Sequence, residues 1–396
     1  MSEAGLLPVL LSFAVWLERY GDLSQDQYDY WANPLGRRAK RVAYRHPRAG
    51  LALVAPFVLL DALAPASRRF FHAQQRFAIA DAHYAMGFCD LASLDDRETR
   101  LGAARRYLSH LLESRAAGFS HSGWGYPFDW ETCFGTFKAG TPFITTTPYA
   151  YEAFERGYET TADPSYLETM RSTAEFAFQD LVDHQVAPGV SACSYGPFDR
   201  RRVVNASAYR AFLLTAAGVR FKRDQWLAAA RSNVAFVLHS QRADGSWFYA
   251  MDGKDQFIDN FHTCFVLKNL VKVWKAAGDE AVLRAIRSGY DFYKTALLDR
   301  QGLPVPFARA QRANVVRREL YDLAEGVNLA ILMRELDPDA GSILRRLLAE
   351  VLDRWVLPDG HFVTRITWFG RNTVPYHRWA QSQMFHALTR ACLEGV

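Results

Sequence analysis

The sequence contains no paired cysteines. Its five, at positions 89, 133, 193, 264 and 392, stand alone without a CxxC, which excludes a disulfide framework and a zinc ribbon. Isolated thiols of this kind are expected as small buried side chains in a reducing compartment. HExxH, an EF-hand loop, a GxSxG elbow, a phosphate-binding loop and a dinucleotide fingerprint are also absent, so no metal and no cofactor is expected. No linker rich in Pro, Ser or Gly and no block of like charge divides the 396 residues, which favours one repetitive domain over two or three. The apolar segment Leu6 to Leu17 has neither a basic stretch before it nor a small-residue cleavage pattern after it, so a cytoplasmic protein is expected.

A net charge of +5 and a pI near 8.9 are mild for this length and exclude the lysine-rich tracts of a nucleic-acid binder. Basicity is local, at RRAKRVAYRHPR (Arg37 to Arg48), at Arg200 to Arg202, and at arginines 309, 312, 317 and 318. Each is either a solvated face or a set of guanidinium groups for carboxylates or phosphates. The long apolar stretch Ala49 to Ala66 lies between basic flanks, carries Asp61 and prolines, and is at the short limit for a spanning helix. A buried core helix is the preferred reading; the alternative is a helix resting on an anionic membrane surface, at the inner face. Residues 1–70 are therefore set apart as an N-terminal helical segment, and 71–396 as the main domain.

With 49% hydrophobic residues the chain can bury a large core. Its apolar periodicity predicts helices in pairs, at 71–90, 99–116, 148–158, 164–184, 206–219, 226–241, 263–277, 279–298, 320–335, 340–355 and 377–393. After each pair comes an aromatic loop bearing Gly or Pro: 123–143, 194–207, 244–265, 301–322 and 359–379. A spacing of roughly 50 to 70 residues is that of repeated helix-turn-helix units. The expected fold is all-α, an (α/α)6-type toroid, with an open solenoid as competitor. Its functional surface is expected where the five loops converge.

The loops carry the candidate chemistry. Trp124, Tyr126, Asp129 and Trp130 offer aromatic planes for sugar C–H faces beside a carboxylate for hydroxyls. Tyr195, Arg202 and Asn205 repeat the mixture, as do Trp247, Asp255, Asp259 and His262; Asp259 to His262 spans one helical turn, so both can face one cavity. Asp259-Asn260 also offers a helix N-cap. Glu325, three residues after Asp322, is either a functional acid or part of a capping arrangement. Arg317, Arg365, Tyr376, His377, Arg378 and Trp379, with Tyr149 further back, complete the set. Asp129, Asp259 and His377 are expected around one shared hollow.

GWGYPFDW (123–130), GTPF…TTTPYAYEAF (140–154), SYGPFDRRRVVNAS, DGSWFYA…FIDNFHTCFVL and PYHRWAQSQMFHAL (375–388) occur in an order that resembles the VpsJ-type bacterial exopolysaccharide-biosynthesis proteins, from about Ala80 onward. That resemblance implies an (α/α) toroid of polysaccharide assembly and carries no established catalytic residue. Tyr376, His377 and Gln381 also resemble one helix of the glucuronyl C5-epimerases. Class II terpene cyclases share a DGSW-like element, but their DxDD acid motif is missing at Leu94-Asp95-Asp96.

Three readings follow. The leading one is an enzyme that abstracts the C5 proton of a uronic-acid-containing glycan, as epimerase or lyase, with arginines neutralising the carboxylate. Tyr149, Tyr195, Tyr376, His262 and His377 are candidates for the proton exchange, and Asp129, Asp259 and Glu325 would orient or polarise. The second is an inverting glycoside hydrolase using Asp129 with Asp259 or Glu325. The third is a non-catalytic glycan-binding assembly factor. In each the partner is an oligo- or polysaccharide, for the first an anionic one, and contact with a membrane would make it a lipid-linked glycan.

Overall fold

A computed structural model describes residues 5–311 and 314–395; Arg312, named above among the dense basic places, lies outside them. The chain opens with α1 (Leu6–Tyr20), the short α2 (Asp29–Ala32) and a helical hairpin of α3 (Pro34–Arg45) and α4 (Pro47–Leu63). Eleven helices then alternate. α5 (Ala78–Leu91), α7 (Thr147–Thr161), α9 (Val204–Phe221), α11 (Asn260–Ala277), α13 (Leu320–Met333) and α15 (Ser382–Leu393) form an inner ring. α6 (Arg97–Glu113), α8 (Pro164–Glu175), α10 (Asp224–His239), α12 (Glu280–Phe292) and α14 (Ala340–Arg354) lie outside it. The fold is an all-α (α/α) toroid.

Sequence pattern sorts the two layers. Every residue of α5 and of α13 is buried, because an inner helix has neighbours on all sides. On α6 the buried set is Leu101, Ala104, Tyr107, Leu108 and Leu111, the single stripe of a helix with one face to water. Each fully buried leucine contributes about 1.5–3 kcal/mol. The ring is closed, not an open solenoid: α15 packs on α5, where a Cβ on Gly87 would come within 2.6 Å of the Phe385 ring. α1, from the segment expected to stand apart, completes the outer layer against α15, with Leu6, Leu10, Phe13 and Leu17 fully buried.

Several helices start or stop differently from the expected ranges; that expected over 279–298 leaves α-geometry at Tyr293–Leu297, and that expected over 377–393 becomes α-helical at Ser382. The helix expected from Phe71 begins at Ala78, after a 3-10 turn over Pro65–Phe70. The helix expected over 164–184 leaves α-geometry at Phe176–Asp180, a π-turn. The strands are short, as expected: hairpins of Trp130–Thr132 with Gly135–Phe137 and Asp183–Ala187 with Val190–Cys193, the pair Ile258–Asp259 and Phe307–Arg309, and a three-stranded sheet of Val316–Glu319, Arg365–Thr367 and Gly370–Asn372. They lie in the loops that enter the inner helices, and those loops share one end of the ring. The expected core helix over residues 49–66 is not one: of α4 only Gly50 is buried. No helix among the described residues is long and apolar enough to cross a membrane.

Candidate functional site

The loops feeding the inner helices surround a cavity of about 940 Å³, within the range of small-molecule sites. Tyr126, Phe128 and Trp130 come from the first loop, Tyr195, Arg201 and Asn205 from the second, Tyr249, Asp255, Asp259 and His262 from the third, Phe307 and Tyr321 from the fourth, and Arg378 and Trp379 from the fifth. One further wall was not expected: Tyr28, Lys40, Tyr44, Leu51 and Val54 of the α2–α4 region also line it. Ion pairs hold that wall in place, Arg37 with Asp129 and Arg41 with Glu131 across 3.0 Å.

At the start of α11 the carboxylate of Asp259 meets Nδ1 of His262 at 2.7 and 2.9 Å. Asp259 stands at the N-cap position but makes no cap hydrogen bond; its charge is spent on the imidazole instead. Two oxygens on Nδ1 fix that nitrogen as donor, which in the neutral ring leaves Nε2 as the acceptor. Tyr249, Phe257, Phe261 and Phe265 pack around the ring with centroids 4.4–5.9 Å away, leaving the side chain 21% exposed.

Opposite chemistry is at hand in phenols. Burial pushes the Tyr195, Tyr249 and Tyr321 hydroxyls upward, so they stay protonated as donors. Tyr195 accepts a hydrogen bond from the Thr145 hydroxyl at 2.9 Å. Tyr321 stacks on Trp379 at 4.5 Å, and the Trp379 indole N–H donates to Glu319. Asn205 is 2% exposed, and its Oδ1 has no hydrogen-bond partner, an acceptor left for a ligand donor.

Lys40, Arg201, Lys254 and Arg378 line the cavity against the carboxylates Asp255 and Asp259. Arg378 is held by Asp26 at 2.9 and 2.6 Å and lies 4.8 Å over the Tyr126 ring. Arg201 meets Asp252 and Asp255 at 2.9 and 2.6 Å. Behind the cavity floor, burial first, then Glu319 and Asp259, pushes the Asp322 carboxyl well up; neither of its oxygens has a partner, the condition of a neutral acid.

Of the residues expected to act on a ligand, the cavity takes Tyr126, Trp130, Tyr195, Asn205, Asp259, His262, Arg378 and Trp379. The others are engaged elsewhere. Asp129 braces α3 through Arg37 and also binds Lys138 and the Ala139 N–H. Glu325, fully buried, pairs with Lys268. His377 is wedged between the Tyr84 hydroxyl and the Gly21 carbonyl, at 2.6 and 3.0 Å, and Tyr376 is buried under the Arg68 guanidinium. The single hollow expected for Asp129, Asp259 and His377 thus holds Asp259 alone of the three.

Trp124 and Trp247 are core residues donating to the carbonyls of Leu111 and Val237, and Tyr149 shares a 2.6 Å hydrogen bond with Tyr209 inside the ring. Arg365 ties Glu319 to Asp61, and Arg317 stacks on the exposed Trp368 outside the cavity. Arg202 gives its place on the wall to Arg201. In a run of three arginines nothing in the sequence says which one faces inward. Asp255, Tyr249 and Phe257 lie in the stretch already singled out, and Lys40 in the basic stretch 37–48; Tyr28 carried no signal.

No family model matches the chain, and no curated protein matches it. Solved structures do. An unsaturated glucuronyl hydrolase specific for heparin is similar at 12% identity over 80% of this chain and 87% of its own, with a TM-score of 0.59. A polysaccharide lyase is similar at 12% identity over 86% and 97%, TM-score 0.59. The cellobiose 2-epimerase of Bacillus thermoamylovorans is similar at 9% identity over 79% and 87%, TM-score 0.62. At these identities the likeness is one of fold: the chain shares the (α/α) toroid of these three structures.

Proposed function

We propose that the protein is an enzyme of bacterial polysaccharide biosynthesis that removes the C5 proton of a uronic-acid residue in a bound anionic glycan. The observation that carries this reading is the Asp259–His262 pair in an aromatic cavity. His262 Nε2 takes the C5 proton, and Asp259 stabilises the imidazolium that forms. Lys254 in the wall meets the uronate carboxylate, which makes that proton more acidic. Return of a proton from a phenol on the opposite face, for which Tyr195 is the candidate, gives the C5 epimer; loss of the substituent at C4 gives an unsaturated sugar. The VpsJ-type resemblance and the kinds of enzyme that share the fold support the glycan class.

Hydrolysis is the weaker reading, because neither Asp129 nor Glu325 reaches the cavity and Asp259 is committed to an imidazole. The reading also includes a place in the cytoplasm at the inner face of the membrane, acting on a glycan still carried by a lipid. The test is a panel of uronate-containing oligosaccharides incubated with enzyme and followed by mass and NMR. A C5 epimer or an unsaturated end is expected. New saturated reducing ends would transfer the case to a hydrolase, and retention without change to a binding factor.

A further inference from the structure

Helix α4 is apolar on every side. Within Pro47–Leu63 only Arg48 and Asp61 carry charge. Such a helix is ordinarily surrounded by protein or by lipid, yet here much of it faces outward: Leu51 is 66% exposed, Leu53 48%, Leu59 52% and Leu63 62%. Its carboxylate is turned inward, where Asp61 is held by Arg68 and Arg365. Phe57 also points in, onto Tyr30, Trp31 and Phe71. What remains outside is a continuous hydrocarbon face.

Cations border that face. Arg38, Arg45 and Arg48 are exposed and pair with no carboxylate among the described residues. This arrangement argues against a second copy as the cover, since a two-fold contact through α4 would bring two sets of unpaired arginines together. It fits an anionic lipid surface, where headgroups neutralise the arginines and the apolar face enters the acyl boundary. Seventeen residues interrupted by Pro56 are suited to lying in the interface, not to crossing it. The same hairpin borders the cavity, because Tyr44, Pro47, Leu51 and Val54 line it. Apolar surface therefore runs from the outside of α4 into the mouth.

We infer that the α3–α4 hairpin seats the protein on an anionic membrane, with the cavity mouth at the lipid interface, so that a glycan whose lipid anchor stays in the bilayer can enter. The seat itself stands on the hairpin alone; what enters rests on the glycan reading above.

Co-flotation of the full-length protein with vesicles tests it. Binding is expected to vesicles of phosphatidylglycerol and phosphatidylethanolamine at low salt, to weaken as salt rises, and to be slight on pure phosphatidylcholine. Replacing Arg38, Arg45 and Arg48 with glutamine should weaken binding about a hundredfold. A variant with Leu53→Ser, Leu59→Ser and Leu63→Ser, exposed positions away from the cavity wall, should lose it while keeping its circular dichroism and its turnover of soluble oligosaccharide. Absence of flotation on anionic vesicles, equal binding by these variants, or a dimer that the serine variant dissociates would overturn the seat. Turnover of soluble uronate without flotation leaves the enzyme reading intact; flotation without turnover leaves the seat and removes the enzyme.

Discussion

Asp259 holds His262 by Nδ1 with both carboxylate oxygens, at 2.7 and 2.9 Å, on the first turn of an inner helix. Both are local to one turn and both line the cavity. His262→Gln is expected to abolish proton exchange at the glycan. Asp259→Asn keeps the shape and removes the charge, so it should lower kcat by about 10²- to 10⁴-fold with little change in KM. Steady-state kinetics on the substrate found by the panel checks this; an unchanged kcat in Asp259→Asn would remove the dyad from the chemistry.

The buried pair of Lys268 and Glu325 is structural in this account. Lys268→Met strands a carboxylate with no exposed surface and should cost about 3–5 kcal/mol. The double variant Lys268→Met with Glu325→Leu should recover much of that loss. Urea unfolding of the three proteins decides it, and a single variant as stable as the parent would show that the pair is not a tight ion pair.

Ala380 has φ 137° and ψ −30°, a conformation that side chains other than glycine rarely adopt. The turn is held by the Gln383 side chain, which accepts from the Ala380 N–H and donates to the Arg378 carbonyl, and it aims Arg378 and Trp379 at the cavity. Ala380→Gly should relieve the strain and stabilise the protein by about 1 kcal/mol. A fall in the thermal midpoint would contradict it.

Burial lowers the His377 imidazole from its ordinary 6.5 to about 4. Between those values the unfolded chain binds a proton that the folded chain does not, so the stability His377 contributes is present above pH 6.5 and is lost as pH falls toward 4. The loss amounts to ~3 kcal/mol. His83 and His386, also pushed well down by burial, act in the same direction. His377→Asn should therefore gain stability relative to the parent as pH is lowered through this window and show no such trend above it; unfolding midpoints at pH 5 and pH 7.5 measure the difference.

How much of this was readable in advance follows from the range of the contacts. The paired helices and the five loops were legible, because apolar periodicity and Gly or Pro punctuation are local signals. The dyad was legible for the same reason, three residues apart on one turn. His377 and Asp129 were not: the partners that occupy them, Tyr84, Gly21 and Arg37, lie 293, 356 and 92 residues away, and a dense polar-aromatic sequence looks alike whether it binds substrate or braces the fold. Residues 49–66 misled differently. Apolarity marks a helix for burial without saying whether protein or another apolar phase will cover it.

The central claim is that this cavity exchanges the C5 proton of a uronate. Incubation of uronate oligosaccharides in deuterated water, with the carbon-bound deuterium located by NMR, addresses it directly. The account predicts label at C5 of the glycan it accepts, with His262→Gln leaving that position unlabelled. Label at another carbon, label undiminished by His262→Gln, or a glycan that binds in the cavity and gains no deuterium would contradict it.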